Sequence, residues 1–443
     1  MNDEPKVAHN GFNPVSAMDY LPLSRLRELQ LVRLKAVVRR AYTHVELFRQ
    51  RLHERGLTPE SLQSLENLSL FPFTVKTDLR DTYPFGLFAS PMKDVVRLHA
   101  SSGTTGKPIV VAYTQHDLAS WADVMMRAFA GCGVHQGDIV QNSYGYGLFT
   151  GGLGIHYGAE ALGAAVVPAS GGNTERQIML LKDFGVTVMC CTPSYFVHMI
   201  EAAAEMGVSL HDLPLRTGIF GAEPWTESIR QVMQREAGIQ AYDIYGLSEI
   251  IGPGVACECR EQNGLHVFED MFYPEIIDPE TGVPLPEGSE GELVLTTLDK
   301  QALPMIRYRT RDITTIISEP CPCGRTMRRI QRISRRSDDM IILRGVNVFP
   351  SQIEDAVLAE EGTLPHYQII LSRKKGLDQM EIQVEVTTSI FSDTIRALEE
   401  FRGRLARAVE RRTGIRAAIT LVEPYTITRS EGKARRVIDR RNE

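Results

Sequence analysis

The chain has 443 residues, 43% of them apolar and 23% charged, a composition that excludes a collagenous, disordered or disulfide-stapled protein. That length exceeds one ordinary domain. The formal charge of −6 advertises neither nucleic acid nor an anionic membrane as partner, although residues 401–443 carry a local +7 against −13 elsewhere. No apolar run approaches the ~18 residues of a membrane span. The polar start from Met1 to Asn13 does not read as a signal peptide, and seven cysteines without one suggest reduced thiols, so a cytoplasmic setting is expected.

Apolar residues at Leu34, Val37, Val38, Ala41, Val45 and Phe48 have helical spacing and predict one helix over 25–55, with Gly56 as its stop. From about 95 to 250, β-rich runs alternate with helical patterns. The runs are Ile139–Tyr144, Ala164–Val167, Val186–Cys191, Gly218–Phe220 and Ala241–Tyr245; the helical patterns lie at 116–130, 173–184, 194–206 and 226–236. Such alternation predicts an α/β fold with a mostly parallel sheet covered by helices. Over 264–317, strand-like segments are separated by Asp-Pro, Thr-Gly, Pro-Glu-Gly and Asp-Lys, which predicts antiparallel sheet or a distorted β-barrel. Ser351-Gln-Ile-Glu354 reads as a capping box opening a helix that Gly362 closes. A hairpin across Lys374–Gln379, a helix through 392–412 and a strand at 417–422 follow. The charged stretch Arg335–Asp339 suits a linker, which divides the chain into 1–337 and a small α+β unit over 338–443.

Ser101-Ser-Gly-Thr-Thr-Gly-Lys-Pro108 is the most informative string, because backbone N–H groups, hydroxyls and Lys107 can together wrap a phosphate. It lacks the spacing of a Walker A loop. The string resembles the phosphate loop of the adenylate-forming superfamily of acyl-CoA synthetases, and further motifs match in order. These are Gly221-Ala-Glu-Pro224, Tyr245-Gly-Leu-Ser-Glu249, Tyr308-Arg-Thr-Arg-Asp312, Arg336-Ser-Asp-Asp339 and Arg429-Ser-Glu-Gly-Lys433. Within that superfamily the resemblance narrows to phenylacetate–CoA ligases. It does so on Ser143-Tyr-Gly-Tyr-Gly-Leu-Phe-Thr-Gly-Gly152, Phe220-Gly-Ala-Glu-Pro-Trp-Thr-Glu227, Gly252-Pro-Gly-Val-Ala256 and Arg344-Gly-Val-Asn-Val-Phe-Pro350.

The resemblance implies a two-step reaction. A carboxylate attacks the α-phosphorus of ATP to give acyl-AMP and pyrophosphate; the thiol of CoA then takes the acyl group and AMP leaves. Both steps develop charge on oxygen, so oriented electrostatics matter more than acid–base chemistry. By the same resemblance Ser101, Ser102, Gly103, Thr104, Thr105, Gly106 and Lys107 order the phosphates, and Glu249 serves Mg²⁺, a hard ion that prefers oxygen ligands. Gly221, Ala222, Glu223, Asp243, Tyr245 and Gly246 form the nucleotide stretch, and Asp312 with Arg336 holds the ribose. Lys433 bridges the attacking carboxylate and the α-phosphate. Asp338 is the hinge about which the C-terminal unit swings, bringing Gly345 toward CoA in place of Lys433. This chain has Arg335 where the family usually has Gly, which removes a freely rotating position beside the hinge. Tyr144 and Phe149 resemble the walls of an aromatic-acid pocket, whereas His156 reads as a packing histidine. Dimerisation is common in the branch resembled, with the N-terminal helices available to mediate it.

Cys257, Cys259, His266, Cys321 and Cys323 form two paired segments that could hold a structural Zn²⁺; the set expected is Cys259, His266, Cys321 and Cys323, with Cys257 as a substitute. Cys132, Cys190 and Cys191 read as core residues. The leading function is an AMP-forming aryl-acid–CoA ligase acting on phenylacetate. Alternatives are another aryl acid of benzoate or anthranilate type, acyl transfer to a carrier-protein thiol, and a non-catalytic nucleotide-binding regulator.

Overall fold

The computed structural model describes residues 13–101, 108–333, 335–336, 340–343, 346–374, 377–391 and 394–441. The N-terminal pattern forms two helices, α1 (Leu23–His44) and α2 (Glu46–Glu54), rather than one. The break falls at Val45, which is extended (φ −108°, ψ 106°) and buried in the core. A β-branched side chain that packs better from extended backbone ends the helix there. Gly56, at φ +65°, turns the chain after α2 as expected. A short α3 (Lys76–Asp81) leads to the antiparallel hairpin of β1 (Arg97–Ala100) and β2 (Val110–Tyr113). In sequence the phosphate-loop string connects the two strands of this hairpin. Ser101 closes its base, its N–H donating to the Ile109 carbonyl at 2.9 Å, while residues 102–107 lie outside the described residues.

The next stretch alternates as the sequence predicts: α4 (Gln115–Gly131), β3 (Ile139–Asn142), α5 (Gly151–Leu162), β4 (Ala165–Val167), α6 (Thr174–Asp183), β5 (Val188–Cys191), α7 (Pro193–Glu205), β6 (Thr217–Gly221), α8 (Glu227–Ala237) and β7 (Gln240–Leu247). Local chemistry marks the helix ends. Thr114 and Asp117 cap α4 reciprocally, and Gly163 and Gly238, both at positive φ, close α5 and α8. The strands pair in parallel in the order β4-β3-β5-β6-β7. The path leaves β3 for β4 on one side and returns to β5 on the other. A crevice therefore opens at the carboxyl ends of β3 and β5, where open α/β sheets bind ligands.

Beyond β7 the direction changes. The remaining strands are β8 (Gly252–Glu258), β9 (Leu265–Val267), β10 (Phe272–Ile277), β11 (Glu290–Thr297), β12 (Tyr308–Ile317), β13 (Arg329–Ile330) and β14 (Arg335–Arg336). All of them pair antiparallel, and they extend the same sheet in the order β7-β8-β9-β13-β12-β11-β10, with β14 on β12. The turn chemistry thus reports antiparallel strands correctly, but among the described residues they form no closed barrel.

Residues 341–437 build a separate apolar cluster. After the hairpin β15 (Ile341–Leu343) and β16 (Val346–Val348) comes α9 (Pro350–Leu358). Its start corrects the expected capping box: Pro350 is the first helical residue, and the Gln352 side chain accepts from the Phe349 N–H at 3.0 Å, so Ser351 is already inside the helix. Nor does Gly362 close it; α9 ends at Leu358, and Gly362 (φ +100°) turns the chain into the next strand. The long hairpin β17 (Thr363–Lys374) and β18 (Leu377–Val386), a short α10 (Thr388–Phe391), α11 (Ile395–Thr413), β19 (Ala418–Val422) and β20 (Val437–Asp439) complete a four-stranded sheet, order β19-β18-β17-β20, backed by helices. No helix of the described residues is long and apolar enough to cross a membrane.

Candidate active site

The matched motifs come together at the carboxyl ends of the parallel strands. At the end of β6, a Cβ on Gly221 would stand 2.2 Å from the Ile244 carbonyl oxygen, so only glycine fits. Ala222 follows at φ +72°, a conformation an L-residue holds only when its surroundings enforce it. That turn aims the Glu223 carboxylate back across the crevice. Its two oxygens accept from the Ser194 N–H at 2.9 Å, at the start of α7, and from the Ala434 N–H at 2.8 Å. Thr192 and Ser194 donate their hydroxyls to the Gly432 carbonyl, both at 3.0 Å. The loop carrying Lys433 is thereby clasped into the crevice by residues more than 200 positions earlier.

Lys433 is open to solvent at the crevice mouth yet surrounded by protein. Desolvation, the largest influence, pushes its pKa down; Glu223 and Glu249 pull it back up, while Arg336 and Lys76 depress it further. Those five residues define one charged cluster. Glu249 is almost fully buried, its Oε1 is 3.6 Å from Lys76 Nζ, and the Tyr308 hydroxyl hydrogen-bonds it. On β7, the Tyr245 hydroxyl donates to Asp312 Oδ2 at 2.5 Å, and Asp312 lies 3.4 Å from the Arg336 guanidinium, its register partner on β14. Gly246 is obligatory as well, because a Cβ there would stand 1.9 Å from the Gly252 carbonyl oxygen.

The turn that carries Glu249 is anchored from within the fold. The Tyr113 hydroxyl donates to the Ile251 carbonyl at 2.8 Å, and buried Lys300 donates to the Ile250 carbonyl at 2.6 Å with its ammonium 4.6 Å from the Tyr113 ring centroid. Burial drives the Lys300 pKa down to about 8, against upward pulls from Asp117 and Glu249. Lys76, Lys300, Thr192 and Ser194 are not singled out by the sequence, since isolated lysines and hydroxyls carry no spacing signal; Tyr308 opens the matched motif that ends at Asp312, but the motif gives it no role of its own.

Other expected residues stand differently. Asp243 pairs with Arg332 at 3.1 Å, whose guanidinium lies over the Trp225 ring at 4.2 Å. Tyr144 follows β3 with its hydroxyl buried, whereas Phe149 is 52% exposed in the loop before α5, so the two do not form a closed pocket. His156 is engaged by the Tyr146 hydroxyl at 3.1 Å and by Glu160 at 3.1 Å, as suits a packing histidine. Asp338 and Gly345, like Ser102, Gly103, Thr104, Thr105, Gly106 and Lys107, lie outside the described residues.

Away from the crevice, Cys259, His266, Cys321 and Cys323 place their ligand atoms within 4.8 Å of one another. The Cys259–Cys321 sulfur separation is 3.7 Å, close to the ~3.8 Å edge of a tetrahedron with 2.3 Å Zn–S bonds. His266 Nε2 is 3.3 Å from Cys323 Sγ; its Nδ1 faces the Met327 carbonyl at 3.0 Å, and since a carbonyl only accepts, Nδ1 carries the proton and Nε2 is left to ligate. Cys257 lies instead against Cys132, sulfur to sulfur 3.6 Å, and is not part of this set.

Two family models match the chain, the AMP-binding enzyme over residues 47–298 and the AMP-binding enzyme C-terminal domain over 345–441. A phenylacetate-coenzyme A ligase of Thermus thermophilus is 50% identical over 438 residues, covering 96% of this chain and 98% of the relative. Among solved structures, 2-hydroxyisobutyryl-CoA ligase in the postadenylation state, in complex with 2-HIB-AMP, superposes with a TM-score of 0.91 at 30% identity, over 96% of this chain and 92% of that one. The same enzyme in the thioesterification state, with 2-HIB-AMP and CoA, gives 0.71 at the same identity and coverage. This chain therefore superposes better on that enzyme's postadenylation structure than on its thioesterification structure.

The two family models and the near full-length match to a CoA ligase structure define the class as an adenylate-forming enzyme. The chain belongs to the AMP-binding enzymes and, among them, to the phenylacetate–coenzyme A ligase family; it is an AMP-forming ligase that joins an aryl acid to CoA at the expense of ATP.

The lowered pKa of Lys300 gives a test of its burial. Between about 8 and the ordinary 10.5, the unfolded chain binds a proton at this lysine that the folded chain does not. Wild-type stability should therefore rise with pH relative to Lys300→Met across that window. Urea unfolding of both proteins from pH 7 to 9.5 checks this; a difference that stays flat or falls contradicts it.

Proposed function

We propose that the acid is phenylacetate and that Lys433 drives its adenylation, on the strength of one observation: Lys433, Lys76 and Arg336 converge with Glu249 at the mouth of the crevice. The lysine ammonium bridges the phenylacetate carboxylate and the α-phosphate of ATP, neutralising charge as the acyl–phosphate bond forms and pyrophosphate leaves. Lys76 adds a second positive charge on the pyrophosphate side, and residues 101–107 wrap the β,γ-phosphates. Asp312, oriented by Tyr245, accepts from the ribose hydroxyls. The buried carboxylate of Glu249 suits Mg²⁺, which when bound supplies charge neutralisation to the phosphates. Glu223 and Ala222 border the adenine, and Tyr144 contributes apolar surface for the aryl ring.

For the second half-reaction, the unit over 338–443 turns against 1–337 about Asp338, Lys433 withdraws, and the segment around Gly345 enters to shape the CoA path. Family relatives named as phenylacetate-coenzyme A ligases support this choice of acid. The cysteine cluster binds a structural zinc in this reading, pinning the turn between β12 and β13 to β8 and β9; its closed ligand set leaves no position for catalysis. Seven unpaired thiols support a cytoplasmic location.

Pyrophosphate and AMP release with ATP, Mg²⁺ and a panel of phenylacetate, benzoate, anthranilate and 2-hydroxyisobutyrate, with and without CoA, tests the reaction. Phenylacetate should lead in kcat/KM, by roughly tenfold or more over benzoate, which lacks one methylene. Another acid in the lead, or acyl-AMP made without transfer to CoA, contradicts the proposal. For the metal, Cys321→Ser should lose most of its bound zinc and melt at a lower temperature than wild type; unchanged metal content by elemental analysis removes the zinc assignment.

A further inference from the structure

Contacts along helix α7 go beyond the Lys433 loop itself. At its N-terminal end Thr192 and Ser194 hold Gly432, and two turns further on Glu201 faces the C-terminal unit. One Glu201 oxygen accepts from His366 Nε2 on β17 at 2.6 Å; the other accepts from Arg429 Nε at 2.9 Å. Arg429 lies four residues before Lys433 and is bound from behind by Glu385, whose two oxygens each accept a guanidinium N–H at 2.8 Å. One turn later on α7, Glu205 hydrogen-bonds the Tyr425 hydroxyl.

The exposures indicate which of these bonds carries energy. Glu385 is fully buried, and the side chains of Arg429, His366 and Glu201 are only 10%, 9% and 18% exposed. Charge-assisted bonds shielded from water in this way are worth far more than surface pairs. Burial alone would raise the Glu201 pKa, and the hydrogen bonds and charges of His366 and Arg429 reverse that and hold it below the usual carboxylate range. Arg429–Glu385 lies wholly within the C-terminal unit and survives a rotation of that unit. Glu201, by contrast, belongs to the larger unit, so its hydrogen bonds to both His366 and Arg429 must break when the arrangement changes.

We propose that Glu201 is a positioning residue that latches the C-terminal unit in the adenylating arrangement, setting Lys433 in the crevice through Arg429 and His366 and releasing both before thioester formation. The latch rests on the two-step reading of the reaction. It predicts an asymmetry that a purely structural role does not: loss of Glu201 lowers the population with Lys433 in place, which burdens the first half-reaction alone.

The test uses the full chain and whichever acid wild type adenylates best, so that a wrong choice of acid is seen separately in the wild type. Single-turnover pyrophosphate release without CoA reads the first half; thioester formation from supplied acyl-AMP and CoA reads the second. Glu201→Gln should slow the first by roughly tenfold or more and leave the second unchanged or faster. His366→Ala, which keeps the Arg429–Glu201 pair and cannot strand Glu385, should shift in the same direction by a smaller factor and covers the case in which Glu201→Gln folds poorly. Equal loss in both halves, or no loss in the first, overturns the latch.

Discussion

The site depends on one carboxylate shared between two units of the chain. Glu223 accepts from the first turn of α7 on one side and from the residue after Lys433 on the other. Both partners are backbone N–H groups, so the interaction fixes chain paths and does not depend on which side chains lie nearby. The α7 end is a favourable place for a negative charge, since helix N-termini carry partial positive charge and unpaired N–H donors. Aiming the carboxylate there requires the left-handed Ala222 and the close approach of Gly221 to Ile244. Strain at that turn is the cost of presenting Glu223 across the crevice.

What is assembled around this clasp is a tight cluster of both signs of charge. Lys433, Lys76 and Arg336 crowd toward Glu249 and Asp312, and desolvation already depresses the Lys433 pKa. A polyphosphate and a carboxylate entering here meet donors oriented before the reaction begins, as suits a catalyst of this class. Elsewhere the turn bearing Glu249 is gripped by Tyr113 and Lys300, both buried, so the acid is held by the core and not by surface loops.

Much of this was legible in the sequence where the signal is local. Strand–helix alternation reports the parallel half of the sheet, because each element buries one face with its own period. Gly221 and Gly246 stand inside recognisable strings because backbone approaches so closely there that no other residue fits. The grouping of Cys259, His266, Cys321 and Cys323 is readable from two short segments. Less accessible were features decided by packing: the extended Val45 that splits the first helix, Pro350 and Gln352 displacing Ser351 at the start of α9, and the antiparallel strands that lengthen the sheet without closing a barrel. Lys76, Glu201 and Lys300 were invisible, since each acts on a partner far away in the chain and belongs to no motif.

In the function proposed above, this docked arrangement serves the first half-reaction and Lys433 is its agent. Measuring the two halves separately in Lys433→Ala tests it most directly, with acyl-AMP formation followed by pyrophosphate release and thioester formation followed from supplied acyl-AMP and CoA. On the proposed function, acyl-AMP formation falls by roughly a hundredfold or more, as for the loss of a charge acting in the transition state, while thioester formation is largely spared. An equal fall in both halves would contradict it.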